Sequence, residues 1–416
     1  MTPKCKNEKP KLPPEWKIKK LGEISHIKPP KREARNRLNP SDIVSFVPME
    51  DLGIDQKLLE PAKERMLSEV EGSYTYFAEN DVLLAKITPC FENGKLGIAK
   101  NLRNGIGFGS SEYIVFRTCD SLYNEFLYYF LSQEGFRVNG AKNMSGAVGH
   151  KRVAKDFIEQ TLIPLPPLPE QKRIVAILDE VFAAIGKAKE NAEKNLANAR
   201  ELFESYLHNV FANPGKDWEE KRLGKIIGEM LTGPFGSMLH KTDYVENGIP
   251  VVNPQNIVNG EIVQLQKTMI NKETFNRLKR YALKENDIIM ARRGEMGRCA
   301  VVKKENTGWL CGTGSIIIRT HKSANEYFIK LCLSSKKVKT ILDDASIGTT
   351  MSNLNQGILM QVPIHLPPLN EQKQIMNKLD ALSLEIKNLE SVYQQKVASL
   401  DELKKSILDK AFRGEL

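Results

Sequence analysis

Two stretches of the chain hold a helical spacing of apolar positions over about five heptads with no internal proline. In the first, apolar or small residues fall at Ile174, Leu178, Val181, Ile185, Ala188, Ala192, Ala199, Leu202 and Tyr206. In the second they fall at Ile375, Leu379, Leu382, Ile386, Leu389, Tyr393, Leu400, Leu403 and Ile407, each 201 residues beyond its counterpart. Spacings that alternate between three and four residues place one narrow stripe along a helix, which is the seam of a coiled coil. Polar residues interrupt both stripes at matching places, Asn195 and Lys396. The expectation is a polar layer that fixes alignment. The seam residues singled out are Ile174, Leu178, Val181 and Ile185, with Ile375, Leu379, Leu382 and Ile386.

Both helices open in the same way, as LPPLPEQK from Leu165 and LPPLNEQK from Leu366. Proline fixes extended chain before the first turn, and a glutamate within it suits the positive end of the helix dipole. At about 1.5 Å per residue, each helix makes a rod of about 65 Å.

The repeat extends beyond the rods. Short apolar runs that read as strands recur in pairs: ENDVLLAK from Glu79 with ENDIIMAR from Glu285, and EYIVFRT with SIIIRT. PEWKIKKLGEI from Pro14 pairs with KDWEEKRLGKII from Lys216. The chain therefore reads as a basic N-terminal tail (1–13), a globule (14–164), a helical region (165–213), a second globule (214–365) and a second helical region (366–416). Antiparallel rods would carry the chain from one globule to the other and bring the closing AFRGEL back to the first. A two-point caliper with an internal pseudo-twofold repeat is the expected body.

Composition narrows the class. The 416 residues are 41% hydrophobic and 27% charged, which fits globular domains, and no apolar run has the length of a membrane span. The N-terminus is basic without the apolar segment of a signal peptide, so a cytoplasmic protein is expected, with no membrane partner. A net charge of +10 suggests a polyanionic partner, and the surplus sits mainly in 214–365 and the tail.

Catalytic signatures are lacking. Six cysteines and six histidines form no C-x-x-C, H-E-x-x-H or H-x₃₋₅-H spacing, so no metal site is expected. NPQN at Asn253 lacks the second proline and the aromatic of an adenine methyltransferase loop. GPFGSMLHKT ends like a phosphate-cradling loop, but His240 stands where a glycine is required before Lys241. GIGFGSS from Gly105 leads into a strand rather than a helix, and is read as a turn.

Both globules do carry loops that mix glycine with cations: KITPCFENGK from Lys86, GAVGHKR from Gly146 and MARRGEMGR from Met290. Arginine reads guanine with two hydrogen bonds, lysine and backbone amides hold phosphates, and glycine permits close approach. The candidate DNA-binding residues are Lys86, Thr88, Lys95, Lys151, Arg152, Ser237, Lys241, Arg292, Arg293 and Arg298.

At this point the pattern resembles a known family, the specificity subunits of type I restriction-modification enzymes. The likeness rests on FVPMEDL, FAENDVLLAKITPCFENGKLGIA and NGIGFGSSEYIVFR in the first half. In the second half it rests on TGPFGSMLHKTDYVENGIPVV, ENDIIMARRGEMGRCAVV and the LPPLxEQ helix start. The resemblance implies an α/β fold with two α/β target recognition domains separated by two long antiparallel coiled-coil helices, each domain reading half of a bipartite double-stranded DNA site. It implies a non-catalytic chain with no cofactor of its own. Modification subunits, usually two, would bring S-adenosylmethionine, and restriction subunits would bring ATP and Mg. A free-standing DNA-binding or coiled-coil scaffold protein is the alternative.

Overall fold

The computed structural model describes residues 12–147, 149–265, 268–346 and 354–416. Most of the expected basic tail, Val148 of the GAVGHKR stretch and Cys5 lie outside the described residues. The chain divides into two compact units, one holding the residues up to Glu193 together with Tyr393–Leu416, the other Lys194–Val392.

In the first unit the ENDVLLAK stretch forms the strand Val82–Ala85, in the middle of a five-stranded sheet. Its neighbours are Tyr113–Thr118 and Leu96–Ala99, both antiparallel to it, and the sheet continues to Ser25–Ile27 on one side and Leu58–Leu59 on the other. An apolar run without alternation is what burial on both faces requires. Val82, Leu84, Ile114 and Phe116 enter one core, with Phe126 and Ile163, whereas Leu83, Ala85, Tyr113 and Val115 enter another, with Val47 and Phe77.

A second, four-stranded sheet corrects one reading. GIGFGSS contributes the strand Ile106–Gly109 rather than a turn. A Cβ at Gly107 would lie 2.1 Å from the Phe77 ring, and one at Gly109 would lie 2.3 Å from the Val47 carbonyl oxygen. These glycines serve close packing inside a sheet.

The second unit repeats the arrangement. Ile288–Ala291 pairs antiparallel with Ser315–Thr320 and with Cys299–Val301, and Ile227–Thr232 pairs with Ser315–Thr320. Ile288, Met290, Ile316 and Ile318 again face one core while Ile289 and Ile317 face another.

The polar letters of the repeated strands are explained by one ion-pair circuit. Asp81 is buried, accepts the Ala78 N–H at 2.8 Å, and binds both Nε and Nη2 of Arg117 at 2.9 and 2.8 Å. Asp287 accepts the Lys284 N–H at 2.9 Å and binds Arg319 at 2.8 and 3.0 Å. A second carboxylate completes each circuit, Glu33 on Arg117 and Glu229 on Arg319. Asn80 and Asn286 precede the aspartates at φ 71° and 69°, left-handed backbone that asparagine tolerates.

The long helices are Leu168–Ala212 and Leu369–Arg413, each of 45 residues. The glutamine of each LPPLxEQ start is buried and bonds outward from its helix. Gln171 accepts the Tyr123 N–H at 2.8 Å and donates to the carbonyls of Ser121 at 2.8 Å and Pro166 at 2.9 Å. Gln372 accepts the Asn325 N–H at 2.7 Å and donates to Pro367 at 2.8 Å and Ser323 at 3.4 Å. The motif thus fastens a rod to its globule.

Within the first unit Lys189 pairs with Asp401, and Lys404 lies 5.3 Å from the Phe182 ring centroid. Within the second, Arg200 pairs with Glu390 at 2.6 Å and Lys378 lies 4.9 Å from the Tyr206 centroid. Numbers rise along one helix as they fall along the other, so the helices are antiparallel in both units. The closing AFRGEL reaches the first globule as expected, with Phe412 4.8 Å from Phe126 and 5.5 Å from Phe130.

Of the singled-out seam residues, Ile174, Leu178, Ile185 and Leu379 are buried, whereas Val181, Ile375, Leu382 and Ile386 are half-buried. The polar layer is not found. Asn195 and Lys396 are exposed, and their neighbours Leu196 and Val397 are covered instead. Further on, Leu202 and Leu403 are exposed while Phe203 and Lys404 turn inward; ahead of Lys396, Leu389 is already exposed while Glu390 is half-buried. Both stripes therefore slip by one residue, the second already at Leu389, ahead of Lys396. The slip gives two successive steps of four, a stutter, which relieves the drift between a 3.6-residue helix and a 3.5-residue repeat.

Candidate nucleic-acid interface

Loops gather at corresponding ends of the two central sheets, and backbone hydrogen bonds fix which residues meet there. In the first unit the Lys86 N–H donates to the Glu112 carbonyl at 2.9 Å, and the Lys86 carbonyl accepts the Val153 N–H at 2.9 Å. In the second unit the Arg292 N–H donates to the Gly314 carbonyl at 2.9 Å, and the Arg292 carbonyl accepts the Leu354 N–H at 3.0 Å. Lys86 thus corresponds to Arg292, Glu112 to Gly314 and Val153 to Leu354.

The first loop end joins two stretches that are separate in sequence. The Thr88 N–H donates to the Lys151 carbonyl at 2.9 Å, and Ile87 bridges to Arg152. Lys86, Thr88, Lys151 and Arg152 are therefore together, whereas Lys95 is turned away, its amine donating to the Met49 carbonyl at 2.7 Å. Arg152 is already engaged. It binds Glu112 with Nε and Nη2 at 2.9 and 2.8 Å and donates from Nη1 to the His150 carbonyl at 3.1 Å. Thr88 donates to Glu92 at 2.7 Å. The Lys151 side chain is exposed and has no partner among the described residues.

A concavity of about 280 Å³ opens here, lined by Lys28, Lys86, Ser111, Tyr113, Arg152 and Lys155, among others. Lys28 and Lys155 were not recognised in the sequence. Lys28 directly follows a short strand in the stretch HIKPPK, and its N–H donates to Val115 at 2.8 Å, which sets it beside the central strands. The Lys86 amine donates to the Ser111 carbonyl at 2.9 Å and lies 3.9 Å from Glu112. Burial lowers its pKa, Glu112 partly opposes that, and Lys28 and Arg152 lower it further. The hydrogen bonds from Arg152 hold Glu112 below the usual carboxylate range.

The second loop end has different chemistry. Arg292, Arg293 and Arg298 share one loop between Ile288–Ala291 and Cys299–Val301. Arg293 is exposed and the other two are half-buried. Burial, then the charge of Arg293, lowers the Arg292 pKa. The Arg298 Nε is buried without a hydrogen-bond partner among the described residues, and Glu295 in the same loop pairs with Lys339 at 3.0 Å. The TGPFGSMLHKT stretch leaves this sheet end at Gly233, whose N–H donates to Ser315 at 2.9 Å. Ser237 and Lys241 lie exposed farther along it, and no contact among the described residues places them beside the arginines. Phe235 is exposed on that loop too.

Among the described residues no cluster of His, Cys, Asp or Glu could hold a metal, and no helix is long and apolar enough to cross a membrane. The arrangement offers cations, amide donors and glycine turns, the chemistry of polyanion contact.

Comparison with known proteins bears on both halves. The family model described as the type I restriction modification DNA specificity domain matches residues 13–194 and again 215–395. The EcoAI specificity subunit of Escherichia coli is 33% identical over 205 residues, 48% of this chain and 34% of that one. The chain thus spans about a third of the length of that relative. The MjaVIII specificity subunit of Methanocaldococcus jannaschii is 24% identical over 98% of this chain and 94% of its own. The solved HsdS subunit from Thermoanaerobacter tengcongensis has the same fold, with a TM-score of 0.69 at 22% identity over 98% of both chains. Matched in each of its two halves, the chain belongs to the family of the type I restriction modification DNA specificity domain.

Proposed function

We propose that this chain is the DNA sequence-specificity subunit of a type I restriction-modification complex. Each globule reads one half of a bipartite double-stranded site, the paired helices set the distance between halves, and partner subunits carry out adenine methylation and cleavage. Modification subunits would bind S-adenosylmethionine, and restriction subunits would use ATP and Mg. One observation carries this reading: equivalent ends of two equivalent sheets present loops whose backbone scaffold repeats and whose side chains do not. Lys86 and Arg292 take the same place, Glu112 and Gly314 another. A repeated scaffold with divergent tips suits two readers of different sequences on one ligand.

The test exchanges residues 214–365 for the corresponding globule of another family member. The hybrid is co-expressed with its modification subunits, and the methylated sites are mapped across the host genome. One half of the methylated motif should change, while the other half and the number of bases between them stay the same. A change in both halves would refute the assignment of one half to each globule.

A further inference from the structure

The concavity at the first loop end holds more positive charge than its own carboxylates balance. Arg152 and Lys86 share Glu112, at 2.8 and 3.9 Å. Lys155 leans on Glu159, one turn along its own helix, at 2.8 Å. The Lys28 side chain has no hydrogen bond or ion pair among the described residues, yet it lines the same space. Four cations thus face two carboxylates, and Lys86 is half-buried among them. Like charges in a partly desolvated recess repel until an anion enters.

The corresponding place in the second unit is built differently. Gly314 stands where Glu112 stands, and a Cβ there would lie 2.8 Å from the Pro254 ring. The cluster of cations around Glu112 is therefore not a by-product of the repeated scaffold.

We propose that Lys28, Lys86, Arg152 and Lys155 form a seat for one backbone phosphate of duplex DNA, with Glu112 as a competing anion that occupies Arg152 until DNA arrives. The proposal rests on the DNA-recognition reading above and deepens it. It reassigns weight within the recess: Arg152 is held by Glu112, so Lys28 is the cation available at first contact. A phosphate is favoured over a base edge because lysine ammonium groups are compact point charges, whereas base reading relies on planar, bidentate donors.

The test uses the full chain assembled with its modification subunits. Binding to a cognate duplex and to a scrambled duplex is measured by fluorescence anisotropy over a series of salt concentrations. Lys28→Ala and the length-preserving Lys28→Gln should lower affinity for both duplexes alike, by about fivefold at physiological salt, and reduce the slope of log affinity against log salt by about one. Glu112→Gln should raise affinity for both. Loss confined to the cognate duplex would make Lys28 a base reader and overturn the phosphate seat. Unchanged affinity and slope in both Lys28 variants would overturn it too, as would weaker binding by Glu112→Gln. If the wild-type complex discriminated no sequence at all, the recognition reading would fall, while the Lys28 slope would still decide the seat.

Discussion

Where the first globule places Glu112, ion-paired to an arginine beside an open recess, the second places Gly314 against Pro254. Behind these two positions the globules are nearly interchangeable. Asp81 and Asp287 anchor the arginine of the next strand, and Gln171 and Gln372 anchor a rod. The contrast separates two demands on the sequence. A buried carboxylate with all its hydrogen bonds made leaves little freedom for substitution, because removing one partner strands a charge in low dielectric. A loop tip facing water carries no such penalty and is free to follow its ligand.

Breaking the buried circuit gives the largest expected effect and tests whether the scaffolds are equivalent. Arg117→Ala and Arg319→Ala each leave a buried aspartate unpaired, at a cost of about 3–5 kcal/mol. Denaturant unfolding followed by hydrogen exchange should localise each loss to its own unit. A small effect from one variant alone would show that the two circuits differ in weight.

Gln171→Ala should cost about 2–3 kcal/mol, since it leaves an N–H and two carbonyls without partners. Gln372→Ala should cost less, because its bond to Ser323 is already long at 3.4 Å. The reverse order in thermal unfolding would contradict the comparison drawn from these distances.

Transplanting the distinguishing residue sharpens the difference between the loop ends. Gly314→Glu should destabilise the second unit by about 1–3 kcal/mol through collision with Pro254. A neutral melting shift would show that the site opens readily. Glu112→Gly has no such collision, and its cost should follow pH. Glu112 is held below the usual carboxylate range in the folded protein. Its stabilising contribution is therefore present above the unfolded-state value and is lost as pH falls through the folded one. Wild type and Glu112→Gly should converge in stability on acidification, and curves that remained parallel would remove this pair from the account.

The smallest effect concerns the rods. Asn195→Leu, at an exposed position, should change stability by less than about 0.5 kcal/mol, whereas Leu196→Ala should cost about 1 kcal/mol. A large gain from Asn195→Leu would restore the polar layer that the heptad pattern predicts.

The rods and the paired strands were legible because their signals are periodic and local. A strand buried on both faces must be apolar throughout, as ENDVLLAK and ENDIIMAR are, and a helix that packs along its length must carry a stripe. The glycines of GIGFGSS misled because one spacing serves turns and close strand packing equally. Only the Phe77 ring lying against Gly107 distinguishes them. Lys28 escaped notice because nothing in HIKPPK marks it, and it reaches the recess through pairing between strands about ninety residues apart.

The amino-acid order by itself determined the twofold repeat, the stripe along which each rod packs, and the family to which the chain belongs. All of these are written in residues that must be apolar, proline or buried polar wherever they stand. Tertiary structure alone decided the stutter that moves Leu196 and Val397 into the seam, the commitment of Arg152 to Glu112, and the meeting of Lys28 with Lys86. Each depends on the distance between groups far apart in the chain, and charge–charge and packing energies follow that distance rather than separation along the sequence.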